Sequence, residues 1–425
     1  MKKKKVVYLF GAGAAIPWDG PKTSDLTSAI LNSGFYCKDG KTRVTQKVFD
    51  VLSLSFDESE INFETIMSVL EELIVIHSSD NHFATNSFLF PFVQKKGSLD
   101  DLYNFEVTVE VKHGFTLKIP SHELESGKHA YQNQSPKQLY LQLLYANLLT
   151  TISAKVSSYS YHTSGNSKII SDSKEALNDN FYRWISSKVK MDYFVRLYSL
   201  NYDRLFSVIL KKNKIDIFEG AECGSEIKPG ENINFDLNRI LTDFESNCHY
   251  NLHGSSFWEI KARNNNQLPA VQYTLTGAPN LPCNLWEQPL IQMEKGKTIN
   301  PSNIITGYQK AQKSSISPFR QIQSAFDRDC IESNMMYIVG YSFGDAHINE
   351  SIKNLLISSP ETQITIIDPN FRENKTDEKI ALELLSNSAL SLSPTNLTEK
   401  SCSFLDGKII VREDYFDKYL ENTTQ

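Results

Sequence analysis

The sequence has few cysteines, and their spacing excludes the classes of site and fold that depend on them. Six occur in 425 residues, and no two of them lie within four residues of each other. A zinc knuckle needs cysteines a few residues apart, so no site of that kind is expected. A disulfide framework is not expected either, because the cysteine density is low and no secretory signal is recognisable. The six are Cys37, Cys223, Cys248, Cys283, Cys330 and Cys402.

Long apolar runs and an excess of positive charge are also lacking. The opening "MKKKK" is followed by only about five apolar residues before Gly11, whereas a signal peptide needs roughly seven to fifteen. No run approaches the roughly 20 apolar residues of a membrane span. We therefore expect a cytoplasmic protein that does not enter the membrane. The formal net charge of -6 argues against direct nucleic-acid binding, which requires a basic face.

Short apolar runs that end in turns alternate with helical patterns along the chain. "KVVYLFGAG" indicates a buried strand and a tight turn, and a helix is predicted at about residues 24–32. Further strand signals occur at 194–206, 248–260 and 362–370. Alternation of this kind predicts an α/β fold, with a Rossmann-like parallel sheet and helices on both faces. In such sheets the ligand binds at the carboxyl ends of the strands.

A long middle section interrupts this alternation. Three stretches in it have helical apolar spacing, and one alternating stretch predicts a hairpin around His113-Gly114. We therefore predict a discontinuous core formed by 1–36 and 192–370, a mostly helical insertion at 37–191, and a C-terminal extension at 371–425. The helical stretches are residues 63–76, 136–156 and 173–189, and the hairpin spans residues 105–119.

The first candidate motif is Gly11-Ala12-Gly13, at the end of the first predicted strand. Glycines let a backbone approach a phosphate closely, and the start of a helix offers unpaired N–H groups to it. The alternative is a tight turn that binds nothing. Ile16 occupies the place of the third glycine of GxGxxG, which disfavours an ordinary nicotinamide dehydrogenase.

Two further motifs carry polar side chains that follow strands. In "SLNYDRLF", Asn201 and Asp203 are candidates to hold ribose hydroxyls or a water, although a simple Asx turn is the alternative. In "NLHGSSFW", His253 has the side chain best suited to proton transfer near neutral pH. The alternative is a structural histidine. Gly254 beside it favours the functional interpretation, since it leaves room for a substrate.

The last motif is "VGYSFGDAHIN", at another predicted junction of strand and helix. Its small residues Gly340 and Ser342 suit a second phosphate or ribose contact, and a capped turn is again the alternative. His347, on the following helix, is interpreted as structural rather than catalytic.

Together, and in this order, the four motifs resemble the sirtuin-like NAD-consuming domains, and especially those of bacterial antiphage defence. The resemblance implies that NAD is the substrate, that no metal is needed, and that Asn201 and His253 are catalytic. It assigns the remaining NAD contacts to Gly11, Ala12, Gly13, Ala14, Asp203, Gly340 and Ser342.

Three departures separate the chain from the protein-deacylating sirtuins. The cysteines cannot form the four-cysteine zinc module of those enzymes. The segment "PWDGPKTSDL" has no arginine where they carry D-F-R, and Leu200 stands where they place a glutamine before the catalytic asparagine. The pattern is therefore closer to the NAD hydrolases.

The resemblance implies an NAD glycohydrolase that depletes NAD as a defence effector. Two alternatives stay open, namely a deacylase or ADP-ribosyltransferase, and a non-enzymatic sensor of NAD or ADP-ribose. The resemblance also implies a homo-oligomer, with a HerA-type ATPase partner or a phage-derived trigger. The helices at 63–76 and 136–156 are candidate surfaces for such contacts, or else a helical cap packed on the sheet.

Overall fold

A computed structural model gives the structure of most of the chain. The described residues are 4–77, 100–103, 108–111, 115–118, 136–160, 172–221, 232–261, 270–274, 282–283, 291–294, 297–307, 310–359, 361–371, 398 and 400–424. Cys223 and the predicted turn at His113-Gly114 lie outside them.

Fourteen strands occur in the described residues. In chain order they are β1 (Lys4–Phe10), β2 (Thr108–Val111), β3 (Phe115–Lys118), β4 (Tyr193–Ser199), β5 (Asn232–Asn234), β6 (Cys248–Asn251), β7 (Trp258–Lys261), β8 (Ala270–Thr274), β9 (Ile291–Glu294), β10 (Lys297–Ile299), β11 (Met335–Val339), β12 (Gln363–Ile367), β13 (Ser401–Phe404) and β14 (Ile409–Arg412). Strands β2 and β3 pair antiparallel, as the sequence predicts for the hairpin.

Eleven α-helices occur in the same residues, and none of them is long and apolar enough to cross a membrane. They are α1 (Thr23–Leu31), α2 (Val44–Leu52), α3 (Phe63–Ile76), α4 (Pro136–Ser160), α5 (Glu175–Lys190), α6 (Leu205–Lys212), α7 (Leu237–Thr242), α8 (Lys310–Lys313), α9 (Phe319–Glu332), α10 (Ala346–Ser358) and α11 (Phe416–Thr424). A 3₁₀ helix at Ala12–Trp18 follows β1 directly.

The central sheet has seven strands in the order β13-β14-β12-β11-β1-β4-β6. Every neighbouring pair is parallel except β13 and β14, which are antiparallel. Helices cover both faces, and the predicted Rossmann-like α/β fold is confirmed.

Strand β1 lies inside this sheet, with a neighbouring strand on each side. Its sequence from Val6 to Phe10 is a continuous apolar run. Val6, Tyr8 and Phe10 belong to one buried cluster, and Val7 and Leu9 belong to a second. Successive side chains of a strand point to opposite faces. Because helices cover both faces, every position from Val6 to Phe10 is buried, which explains why this part of the strand is apolar throughout.

The helices of segment 37–191 form a layer of the main core. Ile66 and Leu70 of α3 and Leu144 and Leu148 of α4 are fully buried in the cluster that contains Tyr8. The apolar residues of these helices therefore pack within the chain, as the cap interpretation expected. Helix α3 begins and ends where the sequence predicts, and the side chain of Asn62 caps its first turn.

The last part of the chain completes the sheet on one side. Strand β14 pairs parallel with β12, and β13 forms the edge. Helix α11 then packs on α5, where the buried ring of Phe416 contacts Phe10 and Trp184. Residues within the predicted C-terminal extension thus contribute both strands and core.

Candidate functional site

The turns that follow β1, β4, β6 and β11 meet at one edge of the sheet. Each is joined to its neighbour by backbone hydrogen bonds. The Gly11 N–H donates to the Val339 carbonyl at 2.9 Å, and the Leu200 N–H donates to the Phe10 carbonyl at 2.8 Å. Parallel strands place all these turns at their carboxyl ends, where they border a cleft of about 630 Å³.

Eight of the nine residues predicted to form the site line this cleft. They are Gly11, Ala12, Gly13, Asn201, Asp203, His253, Gly340 and Ser342. The ninth, Ala14, is fully buried beneath the turn, and its N–H donates to the Gly11 carbonyl at 3.0 Å. Four segments that are distant in the sequence therefore converge as predicted.

The glycines of the first turn allow two turns to pack against each other. A Cβ on Gly11 would lie 2.4 Å from the Gly340 carbonyl oxygen, and one on Gly13 would lie 2.8 Å from the Gly340 Cα. The Gly13 N–H donates to that same carbonyl at 3.0 Å. The N–H groups of Gly11 and Gly13 are therefore used inside the protein, and the assignment of NAD contacts to these glycines stays a prediction. The turns still border the cleft with backbone rather than side chains.

Asn201 is fixed by contacts on both sides. Its Nδ2 donates to the Gly11 carbonyl at 3.0 Å, which ties the second motif to the first. The Nδ2 of Asn251 donates to the Asn201 and Asp203 carbonyls, at 2.8 Å each. Asn251 was missed by the sequence analysis, because nothing local marks it as the support of a turn some 50 residues away.

The Asp203 carboxylate is held by the protein itself. Its Oδ1 accepts from the Leu205 N–H at 2.8 Å, which is the Asx turn considered as the alternative. Its Oδ2 accepts from the Tyr159 hydroxyl at 2.5 Å. Burial raises the pKa of Asp203, and these two hydrogen bonds oppose that rise. The side chain therefore shapes the turn that presents Asn201.

His253 lies in the turn after β6 and is 2% exposed. Its carbonyl accepts from the Ile305 N–H at 2.7 Å. Gly254 has a φ of +83°, and a Cβ there would lie 2.3 Å from the Asn303 carbonyl oxygen. The glycine beside His253 thus makes room for the backbone at 303–304, which corrects the expectation that it makes room for a substrate.

The surroundings of His253 keep its imidazole neutral. Its pKa is lowered to about 3, chiefly by burial, and within that value Asp345 acts to raise the pKa whereas Lys310 and His347 act to lower it. The His253 and His347 rings are 5.6 Å apart between centroids. At neutral pH the ring is therefore unprotonated, which is the form that accepts a proton.

An ionic bridge that the sequence analysis did not predict crosses the site beside His253. The Nζ of Lys310 lies 2.8 Å from Asp345 Oδ1 and 3.0 Å from Glu64 Oε2. All three residues line the cleft. Glu64 comes from α3 and Lys310 from α8, so no local motif contains the set. Only the position of Asp345 within the fourth motif gave a signal.

The described cysteines and carboxylates form no metal centre. Five of the six cysteines are described, and all five are buried thiols. Among the residues given above, no group of three or more histidine, cysteine, aspartate or glutamate side chains is arranged to hold a metal ion.

The comparison with protein families supports the sirtuin-like resemblance. A family model described as SIR2-like domain matches residues 195–390, a little under half of the chain. The match includes Asn201, His253 and Gly340 but not the first glycine turn. Because SIR2-like domains are in general NAD-dependent enzymes, it supports a sirtuin-like, NAD-related function. None of the curated proteins compared with the chain matches it.

Proposed function

We propose that the protein is an NAD glycohydrolase that cleaves NAD⁺ to nicotinamide and ADP-ribose. The observation that carries this proposal is the convergence of Asn201 and His253 on a single cleft with the first glycine turn. The SIR2-like match over residues 195–390 supports NAD as the substrate. A sensor that only binds NAD needs neither a buried neutral imidazole nor a fixed asparagine at the same cleft.

The reaction breaks the C–N bond between nicotinamide and ribose, and positive charge develops on the ribose as nicotinamide leaves. The incoming water must then lose a proton. His253 is the base, acting on water directly or through a ribose hydroxyl, and a positioned base contributes about 10²–10⁴ in rate. Asn201 orients the water or the ribose hydroxyls, and its Oδ1 forms no hydrogen bond with a described residue.

Binding of the dinucleotide falls to the other parts of the cleft. Ala12, Ser342 and Gly344 border it on the side of the two glycine turns. The exposed Lys22, at the start of α1, lines the same cleft and supplies a positive charge for the pyrophosphate. This assignment replaces the N–H groups of Gly11 and Gly13, which are bonded elsewhere.

The biological role included in this proposal is depletion of NAD as an effector of antiphage defence. Its support is the resemblance of the four motifs to that group of NAD hydrolases. Such an enzyme must be held inactive in its own cell, so we also propose control by self-assembly and by a HerA-type ATPase or a phage-derived trigger.

The test incubates purified full-length protein with NAD and follows nicotinamide and ADP-ribose over time, with and without an acetylated peptide. We expect release that does not depend on the peptide. His253→Ala and Asn201→Ala should each lower turnover by about 10²-fold or more, because each removes a positioned group of the reaction. Phage lysate is added in parallel to supply an activator.

Two matched variants separate loss of chemistry from loss of fold. His77→Ala removes a partly buried histidine that bonds to Tyr103 outside the cleft, and Asn238→Ala removes an exposed asparagine of α7. Both should keep wild-type turnover. Release that requires the peptide would support a deacylase instead, and wild-type turnover in His253→Ala would refute the assignment of the base.

A further inference from the structure

The Glu64–Lys310–Asp345 bridge lies between two cavities. Its three residues line both the main cleft and a neighbouring pocket of about 390 Å³. Lys310 is about 15% exposed and lies between two carboxylates that come from different parts of the chain. Open space on both sides leaves the lysine room to withdraw from Asp345 without disturbing the core.

Asp345 does not perform the task that its position in the sequence suggests. It is the N-cap residue of α10, where an aspartate normally accepts hydrogen bonds from the first N–H groups of the helix, yet its side chain makes no such bond. One oxygen binds Lys310, and the other, Oδ2, lies 4.0 Å from His253 Nε2. The carboxylate is therefore directed into the site.

The atom that faces the Asp345 carboxylate is Nε2 of His253. It is fully buried and has no hydrogen-bond partner among the described residues. A buried polar atom without a partner costs about 1–3 kcal/mol, so a small movement that brings Asp345 within hydrogen-bonding distance is favoured once Lys310 releases it. The bond would fix the tautomer with a proton on Nε2 and leave Nδ1 as the base.

We propose that Asp345 is the positioning residue of His253, and that Lys310, held between Asp345 and Glu64, restrains it in the resting enzyme. Activation is then the release of Lys310 from Asp345, followed by a hydrogen bond from His253 Nε2–H to Asp345. This inference rests on the proposed function for the role of His253 as the base, whereas the coupling of the three side chains is independent of it.

The charges around His253 give the direction of the expected effects. The titratable groups that face it are Asp345 and His347 at the start of α10, and Lys310 on α8. Glu64 reaches it only through Lys310. Lys310 lowers the pKa of His253 and Asp345 raises it. Removing the lysine must therefore raise the pKa of the imidazole, and removing the carboxylate must lower it.

The test measures the titration of His253 in the absence of NAD. Full-length protein with ¹³C-labelled histidine is titrated by NMR from about pH 8 to about pH 4.5, and the missing signal in His253→Gln identifies the resonance. The wild-type signal should not move, because its pKa is about 3. In Lys310→Met it should titrate inside the window, and in the double variant with Asp345→Asn the shift should disappear again.

Two control variants on α10 each remove one charge, one positive and one negative, outside the site. Lys353→Met and Glu350→Gln break a pair on α10 between a partly buried lysine and an exposed glutamate, and should leave the His253 signal unchanged. Circular dichroism at each pH reports the fold. A folded Lys310→Met protein whose His253 signal does not move would overturn the proposal, as would a titration that survives in the double variant.

An NAD assay then connects the coupling to catalysis. At neutral pH we expect Lys310→Met to raise kcat/KM about threefold or more, and Asp345→Asn to lower kcat about tenfold with little change in KM. A higher KM in Lys310→Met with unchanged kcat would mean that the lysine binds substrate, and would overturn its role as a restraint. If the NMR shifts occur but no protein cleaves NAD, the proposed function fails and the coupling stands.

Discussion

Two polar residues of one turn differ in how much of their side chain the protein itself binds. Asn201 is held through Nδ2 and through its backbone, which leaves its amide oxygen for the cleft. Asp203 is fully buried, and both of its carboxylate oxygens accept hydrogen bonds from the protein. The sequence shows both as polar residues after a strand and cannot separate them, because the distinction depends on Tyr159 from a helix more than 40 residues away.

The hydroxyl of Tyr159 should stabilise the fold more than it serves the reaction. In Tyr159→Phe, the buried Asp203 carboxylate loses one of its two hydrogen bonds, so the free energy of unfolding should fall by about 1–3 kcal/mol. NAD turnover per folded molecule should stay within about threefold, since Asp203 keeps its Asx turn. Urea unfolding and the NAD assay measure the two quantities.

The size of this loss should also depend on pH. Losing the bond raises the pKa of Asp203 further above its unfolded value, because the hydroxyl lowers it. The folded state then binds more protons than the unfolded state above about pH 4, so the deficit should grow as pH rises. Tyr182→Phe, a half-buried tyrosine of α5 outside the cleft, is the control and should stay within about 0.5 kcal/mol of wild type. A deficit that is constant with pH would contradict this account.

At the scale of elements, the site depends on two strand–helix turns that touch through their backbones. Gly340 has a φ of +59°, and a Cβ there would lie 2.5 Å from both the Ala14 nitrogen and the Gly13 Cα. The close packing of the two turns therefore requires glycine at these positions, whether or not a phosphate binds there. The glycine pair in the sequence predicts that some group lies close to the backbone at Gly11 and Gly13. It does not indicate that this group is the backbone of Gly340.

Gly340→Ala tests this contact, and Gly407→Ala is its control. Gly407 also has a positive φ, of +88°, but a Cβ added there would meet open space, with no atom within 4 Å. Left-handed backbone strain costs about 1–2 kcal/mol in either variant. Crowding should cost Gly340→Ala about 1–3 kcal/mol more, which unfolding in urea measures. Equal losses in the two variants would show that the turns do not need their close contact.

The elements that the sequence predicts best are those whose pattern is long and repeated. Helix α3 has the predicted bounds, since 14 residues with helical spacing begin at an asparagine cap. Strands β13 and β14 have four residues each, and β12, the parallel partner of β14, lies about 40 residues earlier in the chain. A run as short as "KIIV" (residues 408–411) indicates an ordered segment. It does not indicate which sheet the segment joins, because pairing between distant strands leaves no local signal.

At the scale of the whole molecule, segments outside the four motifs are structural parts of the domain. Segment 37–191 supplies a helical layer of the core and also places Glu64 at the cleft. The bridge from Glu64 to Lys310 therefore joins this layer to the base of the proposed reaction. Neighbouring charged side chains thus connect the helical layer to the surroundings of His253.

The C-terminal helix gives the sharpest test that the chain folds as one unit. Phe416 is 4% exposed and packs its ring against Phe10, Trp18 and Trp184, whereas its neighbour Tyr415 is 62% exposed. Phe416→Ala leaves a cavity between β1 and the helices, so the free energy of unfolding should fall by about 3–5 kcal/mol. Tyr415→Ala should change it by about 0.5 kcal/mol or less.

Because β1 leads directly into Gly11, the loss of packing in Phe416→Ala should also alter the position of the turn at the cleft. Its ring lies against Phe10, whose carbonyl accepts from the Leu200 N–H beside Asn201. We therefore expect the folded variant to bind NAD more weakly than Tyr415→Ala does, as measured by the KM. A loss of stability with an unchanged KM would mean that the C-terminal helix supports the fold without supporting the site.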